Sequence, residues 1–298
     1  MAQRGPIHLA RIAGIDLLLH WTWFLVLLYE VESRAGAYTW LGWNVLEVLA
    51  LFAIVTLHEF GHALACRQVG GTANRILLWP FGGIAFVDPP PRPGATLWTI
   101  AAGPLVNVAL APLLWWAQGL AASGNAATFL QSIFAIDLGL LVFNLMPVYP
   151  LDGGQILQAL LWFPLGRARS LLATTVLGLA GVALLLLEAL RTQDLWLGMM
   201  TGFILLYCWN GLKRARAMGR LAKLPRHAGW ACPDCQAAPP LAELWDCRTC
   251  HKSFDPFATG GACPLCAQQF QRARCLNCGH AHPLAAWAAS GAGVAAAG

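Results

Sequence analysis

Charge is scarce in this chain. Asp, Glu, Lys and Arg make up 11% of its 298 residues, 58% are hydrophobic, and mean hydropathy is +0.57. That is too little charge to coat a soluble domain of this size, so a single soluble globule is excluded and a multi-span membrane protein is expected. Cysteine is nearly absent from residues 1–226, which hold only Cys66 and Cys208. The other eight form four C-x-x-C pairs between 232 and 278, a usage that points to metal sites in a reducing compartment rather than disulfides. Residues 227–298 lack a basic excess, with four Lys/Arg against four Asp/Glu. Four thiolates on each of two zinc ions would make the region acidic, so no nucleic-acid partner is expected. No small-residue cleavage site follows the first apolar run, which argues against a cleaved signal peptide.

What is present divides the chain in two. Apolar runs at 12–29, 44–67, 96–120, 128–146, 170–190 and 195–212 predict a polytopic α-helical membrane protein with about six transmembrane helices. Asn44 and Glu47 fit the N-cap and third position opening the second span. Residues 72–88 are too short and broken for a span. Two apolar stretches there flank Pro80-Phe81-Gly82-Gly83, which suggests a short membrane-associated β-hairpin, with an interfacial loop as the equal alternative. With six spans, basic residues collect on one side, ending in the run from Lys213 to Arg226. Both termini are therefore expected in the cytoplasm, with the body embedded in the lipid bilayer. The domain reading is a membrane body at 1–215, a basic linker at 216–229, a soluble metal module at 230–282 and a low-complexity tail at 283–298.

The chemistry centres on His58-Glu59-Phe60-Gly61-His62, an H-E-x-x-H pattern inside an apolar run. Residues four apart on a helix lie about 40° from each other around the axis, so the two imidazoles share a face and can hold one metal ion. Glu59 lies close enough to act as general base on a water. An idle Glu and two His in an apolar span would be costly, which weighs against a chance match. A zinc site of this kind needs a third protein ligand, and the best candidate is Asp152. His20, in the first apolar run, reads first as a structural histidine and second as a gate or neighbour of the metal. In the last region, Cys232/Cys235 with Cys247/Cys250, and Cys263/Cys266 with Cys275/Cys278, read as two consecutive zinc ribbons. That gives one catalytic and two structural Zn²⁺ ions.

The order H-E-x-x-H, then Gly103-Pro104-Leu105-Val106-Asn107, then Asn144-x-x-Pro147-x-x-Pro150-Leu151-Asp152-Gly153-Gly154, resembles the site-2 proteases, which are intramembrane zinc metalloproteases. Phe81-Gly82-Gly83 resembles that family's glycine segment after the zinc helix. The resemblance covers roughly residues 8–215. It implies hydrolysis of a peptide bond in or near a transmembrane segment of a membrane-protein substrate. His58, His62 and Asp152 would hold the zinc and Glu59 would move the proton. Asn107 and Asn144 become candidates for substrate or oxyanion contacts. Gly82, Gly83 and Ile84 would lie on a strand edge that takes an extended substrate. Asp137 stands where the family often has Asn. The zinc ribbons replace the family's better-known regulatory domains and could meet a cytoplasmic protein partner. The rival readings are a zinc sensor or transporter, for which spans five and six carry too few ionisable groups, and a non-catalytic adaptor, which would not need Glu59.

Overall fold

In a computed structural model, which describes residues 6–34, 36–79, 82–121 and 123–288, residues 1–215 and 216–298 form two compact units. Pro80 and Phe81 of the expected hairpin turn, and the low-complexity tail from 289 onward, lie outside the described residues.

The first unit opens with strands. β1 (Ile7–Ile12) and β2 (Ile15–Leu19) pair antiparallel around Ala13-Gly14, whose φ angles are 51° and 73°. Two positive φ values in succession are what a two-residue type I′ turn requires. Helix α1 (Trp23–Ser33) follows. The run 12–29 is therefore not a span. Ile15 and Leu17 are buried on one face of β2, a period of two rather than 3.6. With 11 residues, α1 rises about 16 Å, roughly half of a bilayer's hydrocarbon thickness.

Helix α2 (Leu41–Gln68) carries H-E-x-x-H. It begins ahead of Asn44, so Asn44 and Glu47 do not cap it. Instead they are buried and hold the α1–α2 connection: Asn44 donates to the Arg34 carbonyl, and Glu47 accepts from Tyr38 and faces Arg34 at 3.2 Å. Beyond α2 come β3 (Thr72–Trp79) and β4 (Gly82–Asp88), paired antiparallel, with β3 parallel to β2. The sheet order β1-β2-β3-β4 leaves β4 at an edge. Ile15, Leu17, Ile76 and Leu78 bury one face of this sheet against Val55, Ala63 and Cys66 of α2. Arg67 pins the same face from below, donating to the carbonyls of Ala13, Gly14 and Ala73.

Helices α3 (Pro93–Gln118), α4 (Gly124–Leu145), α5 (Asp152–Thr192) and α6 (Leu195–Ala222) complete the order. Among the described residues, α2 to α5 are the four helices long and apolar enough to cross a membrane. Trp115, Leu184 and Leu187 stand exposed on them, as lipid-facing side chains do and as water would penalise. Helix α5 breaks at Gly166 (φ 77°, ψ 166°), so the expected fifth span is its second half. Helix α6 runs on to Ala222, which makes half of the expected basic linker helical.

The second unit has almost no regular structure. β5 (Trp245–Asp246) pairs with β6 (Ser253–Phe254), and β7 (Arg272–Arg274) with β8 (Ala281–Pro283). Its core is aromatic: Trp245, Phe257 and Trp287 are buried together, with Phe257 edge-on to both tryptophans. The Ala231 amide donates to the Trp287 carbonyl at 3.1 Å, which brings the end of the unit back to its beginning.

A candidate metal centre between helices α2, α3 and α5

His58 and His62 point from one face of α2 toward α3, and both are buried. Asp152 reaches them from the first turn of α5, where the helix dipole favours a carboxylate. The last stretch before Asp152 is held from behind. Val148 packs in a buried cluster with Val182, Ile204 and Cys208, and the Cys208 thiol donates to the Tyr149 carbonyl. Thus α5 beyond its break and α6 fix the loop that presents Asp152.

The three candidate ligand atoms form a small triangle. His58 Nε2 lies 3.0 Å from Asp152 Oδ2, His62 Nε2 lies 3.3 Å from it, and the two Nε2 atoms are 3.1 Å apart. Tetrahedral zinc with bonds of about 2.0–2.2 Å separates its ligand atoms by about 3.3–3.5 Å, so the donor set fits that ion with little movement. The outer nitrogens are already engaged. His58 Nδ1 donates to Asn107 Oδ1 at 2.6 Å, and His62 Nδ1 donates to the Thr99 carbonyl at 2.9 Å. Each bond puts the proton on Nδ1 and leaves the Nε2 lone pair facing the metal position. Asn107 Nδ2 in turn donates to Asp137 Oδ1 at 2.7 Å, which fixes the amide so that its oxygen meets His58.

Asn107, expected as a substrate or oxyanion contact, is fully buried, with its amide oxygen on His58 and its amide nitrogen on Asp137. Asp137, also fully buried, orients Asn107. Asn144 is half-buried on the last turn of α4 and makes no side-chain hydrogen bond among the described residues. His20 bonds Thr22 at 2.6 Å and is not part of the ligand cluster. The Thr99 carbonyl is a partner that sequence reasoning misses, since a backbone acceptor carries no residue signature.

Glu59 sits between the metal position and the sheet. It is buried, and its Oε2 accepts the Ala85 amide of β4 at 2.8 Å. Gly83 lies directly beneath it: a Cβ there would fall 2.2 Å from Glu59 Cγ. Ile84, between them, pairs with Leu77, and Gly82 with Trp79. The edge strand therefore meets the glutamate with its backbone.

The cysteines group differently from the expected consecutive ribbons. Cys232, Cys235, Cys275 and Cys278 form one cluster and Cys247, Cys250, Cys263 and Cys266 the other, so the second centre is nested inside the first. The closest Sγ pairs lie 3.6–3.7 Å apart, near the ~3.8 Å edge of a tetrahedron with 2.3 Å Zn–S bonds and far beyond the ~2.05 Å of a disulfide. All four pairs share one turn. The residue after the second cysteine (Gln236, His251, Ala267 or Gly279) has φ between 56° and 84° and donates its amide to the first cysteine's carbonyl. Two further bonds accompany the nesting: Trp245, just before the inner pair Cys247/Cys250, donates to the Arg274 carbonyl beside Cys275, and the Ala231 amide beside Cys232 donates to the Trp287 carbonyl.

Against known proteins, the sequence pattern of Peptidase family M50 matches residues 46–122 and 116–188. Those segments hold Glu59, Asn107, Asn144 and all three candidate ligands of the first unit; the cysteine pairs lie outside them. Zinc metalloprotease MJ0392 of Methanocaldococcus jannaschii is 33% identical over 199 residues, 66% of this chain and 58% of its own length. Stage IV sporulation protein FB of Bacillus subtilis is 33% identical over 112 residues, 37% of this chain and 38% of its own. The solved site-2 protease from Methanocaldococcus jannaschii superposes with a TM-score of 0.53 at 28% identity, over 70% of this chain and 95% of that one. The chain spans less than two thirds of the length of the curated relatives it matches.

Proposed function

This chain belongs to peptidase family M50, the site-2 zinc metalloproteases, and we propose that it hydrolyses a peptide bond in or near a transmembrane segment of a membrane-protein substrate. The observation that carries the reading is the convergence of His58, His62 and Asp152 within 3.0–3.3 Å, with Glu59 beside them and touching an edge strand. Zinc, when bound by those three residues, supplies Lewis acidity, which acidifies water and polarises a carbonyl. Glu59 takes a proton from the attacking water and hands it to the leaving amine as the C–N bond breaks. Asn107 and the Thr99 carbonyl hold the two imidazoles in the tautomer this requires. A helical substrate hides its peptide bonds, so the reacting stretch must be extended. The free edge of β4 at Gly82, Gly83 and Ile84 can hold it by strand addition, and half-buried Asn144 is free to contact it.

The test is cleavage of a single-span substrate by the purified protein in detergent. Cleavage is expected to stop with a chelator and to return with added Zn²⁺. Chelator-insensitive cleavage, or zinc-loaded protein that cuts no such substrate, would overturn the proposal.

The two four-cysteine clusters are read as structural zinc centres, for a full complement of three ions with the one in the membrane body. Nested and consecutive pairing differ in one measurable respect. Replacing Cys232, Cys235, Cys275 and Cys278 together by Ser is expected to remove one zinc per chain by elemental analysis. Consecutive ribbons would lose two.

A further inference from the structure

A third group of ligating side chains lies on the second unit, outside both cysteine clusters. Asp234 Oδ2 accepts from His280 Nδ1 at 2.6 Å and from His282 Nε2 at 2.7 Å, and the three ligand atoms lie within 4.8 Å of one another. The nested pairing builds this group. Asp234 belongs to the turn between Cys232 and Cys235, and the two histidines follow Cys278 on either side of Ala281 in β8. Residues two apart on an extended segment project to the same face, so both imidazoles reach the turn that the outer cysteine cluster docks beside them.

We propose that Asp234, His280 and His282 form a third metal site, which takes a borderline divalent cation such as Zn²⁺, Co²⁺ or Ni²⁺ and leaves coordination positions open to water or an external ligand. Two features carry this beyond an ordinary ion pair. First, two imidazoles converge on one carboxylate oxygen, the arrangement seen at His58, His62 and Asp152, where the same His-His-Asp donor set closes on one Oδ2. Second, the cysteine clusters are complete with four thiols each, so these three residues are not spare ligands for them. The donor set suits the imidazole-preferring divalent metals and not the oxygen-seeking Ca²⁺ or Mg²⁺.

Exposure sets the character of the site. The side chains of Asp234, His280 and His282 are 39%, 50% and 21% exposed, against 6–12% for the membrane triad. Three protein ligands facing water leave the ion exchangeable, unlike one closed in by four thiolates. The inference rests on the nested reading of the cysteines, so the experiment counts the two kinds of metal separately.

Full-length, zinc-loaded protein in detergent is desalted and its resident zinc counted. It is then dialysed to equilibrium against Co²⁺ alone, and bound cobalt is measured. One Co²⁺ per chain above the resident zinc is expected, with d–d absorption but no thiolate-to-cobalt charge-transfer band. His280→Asn with His282→Asn is expected to abolish this binding while keeping the resident zinc, and Asp234→Asn to weaken it at least tenfold. Equal cobalt binding by wild type and both variants would overturn the site, as would a wild type that takes up no extra cobalt, or cobalt that enters with a thiolate band while zinc is released. A resident count below two zinc ions per chain would instead refute the four-cysteine centres, a separate result.

Discussion

Glu59→Gln is expected to leave the zinc content unchanged while peptide hydrolysis falls by about 10²–10⁴-fold, the usual contribution of a positioned acid–base group. The glutamate is not one of the converging ligand atoms, so its charge is not needed to hold the ion. Its one hydrogen bond among the described residues is accepted from the Ala85 amide, which a glutamine carbonyl oxygen can also accept. Shape and packing over Gly83 are conserved too. What the variant lacks is an oxygen that can take a proton. Turnover of the single-span substrate, with zinc measured in the same preparation, decides the matter. A zinc-loaded variant that keeps full activity would remove Glu59 from the chemistry.

The second large effect is expected at a residue with no functional group. Gly103→Ala should empty the membrane site and abolish cleavage while the protein still folds. An added Cβ at 103 would fall 2.3 Å from His62 Nε2 and 2.8 Å from His58 Nε2, inside any tolerable contact. The imidazoles cannot rotate away without giving up the Thr99 carbonyl and Asn107, and both of those partners are on α3 with Gly103. Helix α3 cannot retreat as a body without breaking the same two bonds. It already meets α2 closely one turn away from His58, where Gly61 packs against the Ala102 carbonyl. Elemental analysis should find one zinc fewer per chain than in wild type, with helical circular dichroism retained. Normal zinc and activity would mean that the helices part at little cost.

The convergence of His58, His62 and Asp152 is legible in sequence because each is announced by a residue type that metals need, and two of them by a spacing that one helix enforces. Their supports are less so. Asn107 and Asp137 are visible as polar residues in apolar helices, yet their contact joins positions 30 apart, and nothing local tells an amide that orients a histidine from one that greets a substrate. The run 12–29 misleads because a short apolar stretch looks alike as strand or helix. The Ala13-Gly14 pair and the Ile15-Asp16-Leu17 alternation are the signals that distinguish it. Four identical C-x-x-C pairs can be combined in three ways, and their spacing alone does not choose among them; the nested grouping appears only when the folded unit brings Cys232/Cys235 beside Cys275/Cys278.

Nesting also gives the two cysteine centres unequal histories. In an unfolded chain, closing the inner loop joins cysteines 13 positions apart, whereas the outer loop joins cysteines 40 apart. A threefold longer loop costs about 1 kcal/mol more in chain entropy, and the inner closure shortens the path that the outer one must span. The inner centre can assemble alone, while the outer one gains from a neighbour already in place. Metal shortage would then loosen the unit from its ends inward, releasing first the turn at 232–235 and the strand at 281–283, and leaving the middle of the unit folded around its ion.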